Sequence, residues 1–577
     1  MSNNKDYTTI NAPSVENGDN IAVDAIIDSD GVTVKHQRVK VQYGPNGSAI
    51  DVSTSNPLPV TVSDVDSSNP LSVEVVNNNS ANVTEEGALL TYNSSSSAFG
   101  DMVTVRPNPK IQLMFPYSID TAPIIKYTHG SGSVSSTNSQ AVLSSGTTTL
   151  SDAAIASKDF VTYEPGAGGI ARFTFGCTTD NSSGTYQQVG IGTQEDGFFF
   201  SYHADDMHIM LRNGGRRDQR TLTLTNEATA TGSVDISLDG VVHSVPISTQ
   251  NPGETNATAR EIASYDWNAN SSYLAYAEGN VVSFVAQRTG EKTGTFNFDP
   301  GSSGIVGSLD QQVVGVAETI KTISRSDWNI DKADGSGVLP SIDWSKGNVY
   351  QIRYQWLGYG NIYFYVENPN SGRMAAIHME QYSNANTIPS LHNPSLQFLA
   401  NVTNYNTNLN VSAFVGSVYA GVEGGSGQPY GNRVSNTFTK SIGNANYENI
   451  VSLRSPRYLE GTSNRSVISV LRVTITSSAG ADFKIIRNGQ LSGEANWVSV
   501  NNKLLQHDTS VADYTDSTGQ VIIGDRTEQK GRLQISSLDF GSEEILKIYP
   551  GDVINVVGKS DTGTTSAGVA LNWVEPI

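Results

Sequence analysis

The sequence holds one cysteine, Cys177, in 577 residues. That excludes an internal disulfide and any metal site built from several thiolates. Cations are also scarce: 36 Lys and Arg stand against 56 Asp and Glu, a formal net charge of −20. Phosphate contacts need clustered Lys and Arg, so a nucleic-acid partner is not expected. The acidity reads as solubility. No stretch approaches the ~18 apolar residues of a membrane span. The opening MSNNKDYTTINAPSVENGDN has neither the basic nor the apolar block of a signal peptide. A chain made in a cytoplasm that stays soluble is the expectation. Long Ala/Glu/Lys/Leu runs are missing too, which argues against a helical architecture.

What is present is 54 Gly and an abundance of Ser, Thr and Asn between short alternating apolar runs. That pattern predicts an all-β fold of several β-sandwiches, and the length suits roughly three or four domains. Residues 1–30 read as an N-terminal arm. Residues 31–85 read as an anchor. Within it, Val39, Val41 and Tyr43 alternate toward a Pro45-Asn46-Gly47 turn, and Ile50 and Val52 follow in a hairpin. Then Ser55-Asn56-Pro57-Leu58 recurs as Ser68-Asn69-Pro70-Leu71, each copy leading into a short alternating strand. Proline fixes φ and cannot donate to a ladder, so these units belong at strand starts or edges. So thin a segment cannot bury a core of its own. Asn56, Pro57, Leu58, Asn69, Pro70 and Leu71 are therefore the expected anchoring contacts to another domain or chain.

Residues 86–221 and 319–425 are expected to form one split β-sandwich. Its Ser/Gly/Thr-rich stretch 130–150 reads as loops with a single short strand. The clearest signal is NVYQIRYQWLGYGNIYFYVENP, residues 348–369. Tyr350, Ile352, Tyr354 and Trp356 share one face. After a Leu357–Gly360 turn, Ile362, Phe364 and Val366 alternate with Tyr363 and Tyr365. Residues 222–318 carry a hairpin at Asp239-Gly240 and the best helical pattern, at 254–265, and so predict a small α+β insert. Residues 426–445 read as a linker, and 446–577 as a C-terminal sandwich closed by the strand with Val569, Leu571 and Trp573.

KHQRVKVQYGPNGSAIDVSTSNPLPV, residues 35–60, resembles a segment of tailed-bacteriophage virion structural proteins. FVTYEPGAGGIARFTFGC (160–177) and DWNIDKADGSG with the aromatic hairpin are similar to the later parts of such tail-fibre-like proteins. The hairpin is also similar to concanavalin-like lectin sandwiches. The resemblance spans roughly residues 31–425. It implies a virion component, of the fibre, decoration or baseplate-associated kind, that contacts a host surface.

Chemistry-bearing clusters are few. His203, Asp205, Asp206 and His208 in YHADDMH suit a transition metal by type, but a polar loop accounts for them as well. Asp331 and Asp334-Gly335 resemble a calcium loop that Ala333 interrupts, and read as a turn. Glu367 and Glu380 are acidic candidates for glycan hydrolysis, which needs two carboxylates ~5–10 Å apart. Gly558-Lys559-Ser560 matches only the end of a phosphate loop. No catalytic, metal or cofactor site is assigned. Tyr359, Tyr363 and Tyr365 are the candidate sugar-stacking residues, with Tyr354, Trp356 and Phe364 assigned to the core.

Together these readings predict a virion structural protein rather than an enzyme. It would be anchored by its N-terminal region and would display sandwiches for host-surface glycan adhesion. Other virion proteins and further copies of itself, by analogy a trimer, are the expected partners. A capsid decoration or head-fibre protein with a stabilising role, and a glycan depolymerase, are the alternatives.

Overall fold

The computed structural model describes residues 23–27, 31, 33–37, 42–43, 50–51, 108–164, 166–178, 184–249, 255–267, 271–423, 431–491, 495, 497–500, 504–511, 513–515, 517–527, 532–536 and 546–575. The chain divides into two units, Met1–Tyr92 and Asn93–Ile577. In the first, Val23–Ile27 pairs antiparallel with Thr33–Gln37, and Gln42–Tyr43 pairs with Ile50–Asp51. The Asn-Pro-Leu residues Asn56, Pro57, Leu58, Asn69, Pro70 and Leu71 lie outside the described residues.

The second unit is built of antiparallel sheets, as the all-β pattern predicts. Its larger sandwich has a nine-stranded and a seven-stranded sheet. The nine-stranded sheet runs from Arg373–Glu380 through Ile362–Asn368 and Asn348–Tyr354 to Gly168–Cys177. There it forks. Ser417–Glu423 and then Asn108–Met114 continue beside residues 168–173, while Ser412–Val415 leads off from Gly176 and Cys177. The seven-stranded sheet is ordered Thr319–Ser324, Asp206–Asn213, Gly197–His203, Thr185–Gly192, Phe398–Asn404, Ser151–Ser157, Ile124–His129.

Side-chain alternation explains how the two sheets meet. Tyr350, Ile352 and Tyr354 point inward and are buried, as are Ile362, Phe364 and Val366 on the next strand. Phe200 of the facing sheet lies 4.7 Å from the Tyr350 ring and 5.5 Å from Phe364. Such ring pairs add ~0.5–1.5 kcal/mol each beyond the area they bury. The strand ends at Tyr354, earlier than the alternation suggests. Trp356 leaves it and packs edge-on against Tyr163 at 5.1 Å.

Residues 130–150 contain two strands, Ser133–Thr137 and Gln140–Ser144, instead of one. Asn138 and Ser139 both take positive φ, 53° and 60°, which makes the tight turn whose twist matches a hairpin. Ala141 and Leu143 supply the buried face that the Ser/Thr composition hides.

Asp206–Asn213 and Thr319–Ser324 are direct neighbours, with Asn213 opposite Thr319. Residues 214–318 therefore occupy the place of a hairpin loop. The backbones of Arg216 and Val316 exchange two hydrogen bonds of 2.8 Å at its neck. Beyond the neck stand a four-stranded sheet, a three-stranded sheet and the helix Thr255–Ser264. Trp267, Tyr273 and Phe284 fill their common core.

The C-terminal sandwich pairs a five-stranded and a six-stranded sheet. Within the stretch read as a linker, 426–445, residues 432–442 are a structural part of it. Asn432–Ile442 is an edge strand matched along its length to Thr565–Glu575. Only Phe438 and Ile442 of that strand are buried, so its apolar period is too sparse to show above the Asn, Ser and Thr around it.

Candidate functional site: the outward face of the nine-stranded sheet

The residues between the buried ones on these strands form the opposite face of the sheet. Register sets them in rows. In one row Tyr365 stands opposite Gln351, Gln351 opposite Arg172, Arg172 opposite Tyr419, and Tyr419 opposite Gln112. In the adjoining row Tyr363 stands opposite Arg353, Arg353 opposite Ile170, and Ile170 opposite Gly421. Two of the predicted stacking residues, Tyr363 and Tyr365, are thus neighbours on one face, with ring centroids 6.4 Å apart.

The polar groups of this face are held in place. Arg172 Nε donates to Gln351 Oε1 at 2.5 Å, and Gln351 is only 3% exposed. Arg353 Nε donates to Glu423 Oε1 at 2.5 Å, with side chains 11% and 2% exposed. Glu423 sits opposite Gly168. A Cβ there would come within 2.4 Å of Glu423 Oε2, so the missing side chain clears the carboxylate's path toward Arg353. Burial pushes the Tyr419 phenol up from its ordinary range, against the pull of Arg172. The Tyr419 hydroxyl is shielded from water and has no hydrogen-bond partner among the described residues. The result is a face on which the half-exposed rings of Tyr363, Tyr365 and Tyr419 surround one exposed guanidinium, Arg172, above a buried polar layer; aromatic rings beside a charged donor are a combination suited to sugars.

Tyr359 does not join this surface. It lies on the turn after the strand, 40% exposed, and its hydroxyl donates to Thr387 O at 3.0 Å. Leu357 and Ile388 are exposed beside it on the same pair of loops. Sequence alone did not find Arg172, Gln351, Arg353, Tyr419 or Glu423. They come from three strands spread over about 250 residues of chain, and no local pattern connects one strand's residues to another's.

The other clusters take structural places. The His203 and His208 rings stack at 3.9 Å, and Asp206 is paired with Arg325 at 2.8 Å. Burial, with His208 alongside, lowers His203 to about 4. Asp331 is 5% exposed and accepts from the backbone N–H groups of Ala333, Val338 and Leu339 at 2.8, 2.6 and 2.9 Å. It organises its own loop. Glu380 stands opposite Ile362, five residues along the strand from Glu367. At ~3.3 Å per residue this puts the two roughly 17 Å apart, too far for a hydrolytic pair. Glu380 is bonded to Lys321 at 2.5 Å. Gly558, Lys559 and Ser560 lie within the strand Val553–Ser560 and form no phosphate loop. Among the described residues no three His, Cys, Asp or Glu side chains cluster as metal ligands, and no helix is long and apolar enough to cross a membrane.

A second buried polar cluster joins the C-terminal sandwich to the larger one and to the neck of the insert. Arg465 Nη2 donates to Asp196 Oδ2 at 2.9 Å and lies 3.7 Å from Glu195 Oε2, an ion pair without a hydrogen bond. Arg217 Nε donates to Glu195 Oε1 at 2.9 Å, and Ser463 Oγ donates to the same oxygen. Burial pushes the Glu195 carboxyl up, but Arg217 and Arg465 together pull it further down, to about 2. The hairpin Tyr458–Ser463 delivers these contacts on a turn at Glu460 and Gly461, whose φ values are 49° and 75°.

No family model matches the sequence, and neither does any curated protein. Among solved structures, the metal-free lectin I-B4 of Griffonia simplicifolia aligns with 54% of this chain and 99% of its own, at 12% identity and a TM-score of 0.20. Lectin II from Ulex europaeus aligns with 55% and 99%, at 12% identity and a TM-score of 0.20. A chain from an archaeal virus with a triple jelly roll fold and turret assembly aligns with 82% and 98%, at 8% identity and a TM-score of 0.14. The chain is thus faintly similar to lectin and viral jelly-roll structures, at a level that carries no argument about function.

Proposed function

We propose that this chain is a virion structural protein that adheres to host-surface glycans through the outward face of its nine-stranded sheet. The observation that carries the reading is the row Tyr365, Gln351, Arg172, Tyr419, where two half-exposed aromatic rings bracket the exposed Arg172 and the buried Gln351 that holds it. The virion part rests on the resemblance of residues 35–60 to phage structural proteins and on the Asn-Pro-Leu repeat, which needs a neighbour to pack against. In this reading the anchor meets other virion proteins. The chain acts by binding, without cleaving its ligand, and self-association into a trimer multiplies weak contacts. Avidity of this kind exceeds single-site affinity by ~10²–10⁴.

A glycan array probed with the full chain tests adhesion. Binding that disappears in a Tyr363→Ala/Tyr365→Ala variant with an unchanged melting temperature supports it, and an empty array opposes it. Release of reducing ends from a bound polysaccharide would point to a depolymerase instead. Native mass spectrometry reads the trimer. Deletion of residues 1–85 reads the anchor through loss of incorporation into particles.

A further inference from the structure

We infer that the glycan taken by this face carries a carboxylate, as a uronic or other acidic sugar does, and that Arg172 selects it. The inference rests on the glycan-binding reading above. Arg172 is exposed, and its Nε is committed to the Gln351 amide at 2.5 Å. Among the described residues neither of its Nη atoms donates to a protein acceptor. Gln351 is itself buried, so Nε has a fixed anchor, and among the described residues the two-nitrogen edge of the guanidinium is unfilled. That edge matches the two oxygens of a carboxylate, and a charge-assisted bidentate pair is roughly twice as strong as bonds to neutral hydroxyls. Because Nε is already held by Gln351, part of the side-chain entropy is lost before binding.

The other charges on this face do not compete for that position. Arg353 is satisfied by Glu423 at 2.5 Å, and Lys110 lies 3.6 Å from Glu164. Glu367 is two strands over and two residues along from Arg172, ~12 Å by sheet spacing. That is beyond the ~8 Å screening length at physiological salt. The rings are placed to hold a sugar across the arginine. Tyr419 stands directly opposite Arg172 on one side, and Tyr365 lies beyond Gln351 on the other. The two tyrosines are three strand spacings apart, ~14 Å, a span for a short oligosaccharide rather than one ring. A net charge of −20 gives the chain no general attraction for anions, so selectivity for acid must reside in a local contact such as this one.

The test uses the full chain and matched polymers: polygalacturonate, hyaluronan and polysialic acid, each beside its carboxyl-reduced form. The expected result is binding to at least one acidic polymer that falls tenfold or more on carboxyl reduction and equally in Arg172→Ala. Arg172→Lys, which keeps the charge but loses the fork, is expected to recover only part of it. Thermal melting of both variants, expected to match the wild type, separates a binding loss from a folding loss. Equal binding to acidic and reduced forms, or an unaffected Arg172→Ala, overturns the carboxylate assignment and leaves glycan adhesion standing. Binding to none of the six polymers or to any neutral glycan overturns both.

Discussion

Arg465 and Asp196 are separated by 269 residues and meet at 2.9 Å, with both side chains 3% exposed. Removing one member of such a pair strands the other charge in a dry junction. Arg465→Ala is expected to lower stability by about 3–5 kcal/mol. In urea titrations the loss should show as a lower midpoint, with the C-terminal sandwich separating first. A double-mutant cycle with Asp196→Ala should return a large coupling energy, since the two act as one unit.

The same junction sets an acid limit. The Glu195 carboxyl is held at about 2, below the ordinary 4.5. A carboxylate with a depressed folded pKa contributes stability that is fully present above the unfolded value. That contribution is lost as pH falls through the folded one. Melting temperature should therefore decline between about pH 4.5 and 2, and Glu195→Gln should flatten that decline while lowering stability at pH 7.

His203 acts in a higher pH window. Burial, then the neighbouring His208, lowers it from 6.5 to about 4, while Asp206 works in the opposite sense. Between those values the unfolded chain binds a proton that the folded one refuses, so stability falls as pH drops from 6.5 toward 4. His203→Asn should reduce the difference between urea midpoints at pH 7 and pH 5.

Asp331 tests the structural reading of the NIDKADGSG loop. Its carboxylate serves three backbone donors. Asp331→Ala leaves them without a partner, at a cost of about 3 kcal/mol. Hydrogen exchange should speed up at Ala333, Val338 and Leu339. Calcium added to the wild type should leave these rates unchanged, because both carboxylate oxygens are already engaged.

Local signals were legible where one segment carries the whole pattern. Tyr350, Ile352 and Tyr354 alternate into the core as written, Asp239-Gly240 makes its hairpin, and the helix forms at Thr255–Ser264. Tyr363 and Tyr365 were visible as an outward pair for the same reason. Their partners Arg172 and Tyr419 were not, because they reach the site only through the register of other strands. The junction of Glu195, Arg217 and Arg465 has no sequence signature either, since its charges come from three separate parts of the chain. The edge strand Asn432–Ile442 was missed because a half-exposed strand of Asn, Ser and Thr has the composition of a linker.

The neck at Arg216 and Val316 gives residues 214–318 the character of a cartridge in a socket. Entry and exit sit side by side, and the flanking strands already pair without help from what lies between them. The entropy of closing a loop grows only as the logarithm of its length, ~0.6 kcal/mol per doubling. A lineage of such proteins is therefore free to exchange, enlarge or delete the cartridge, altering what the chain presents to its surroundings while the sandwich beneath it keeps the same sheets.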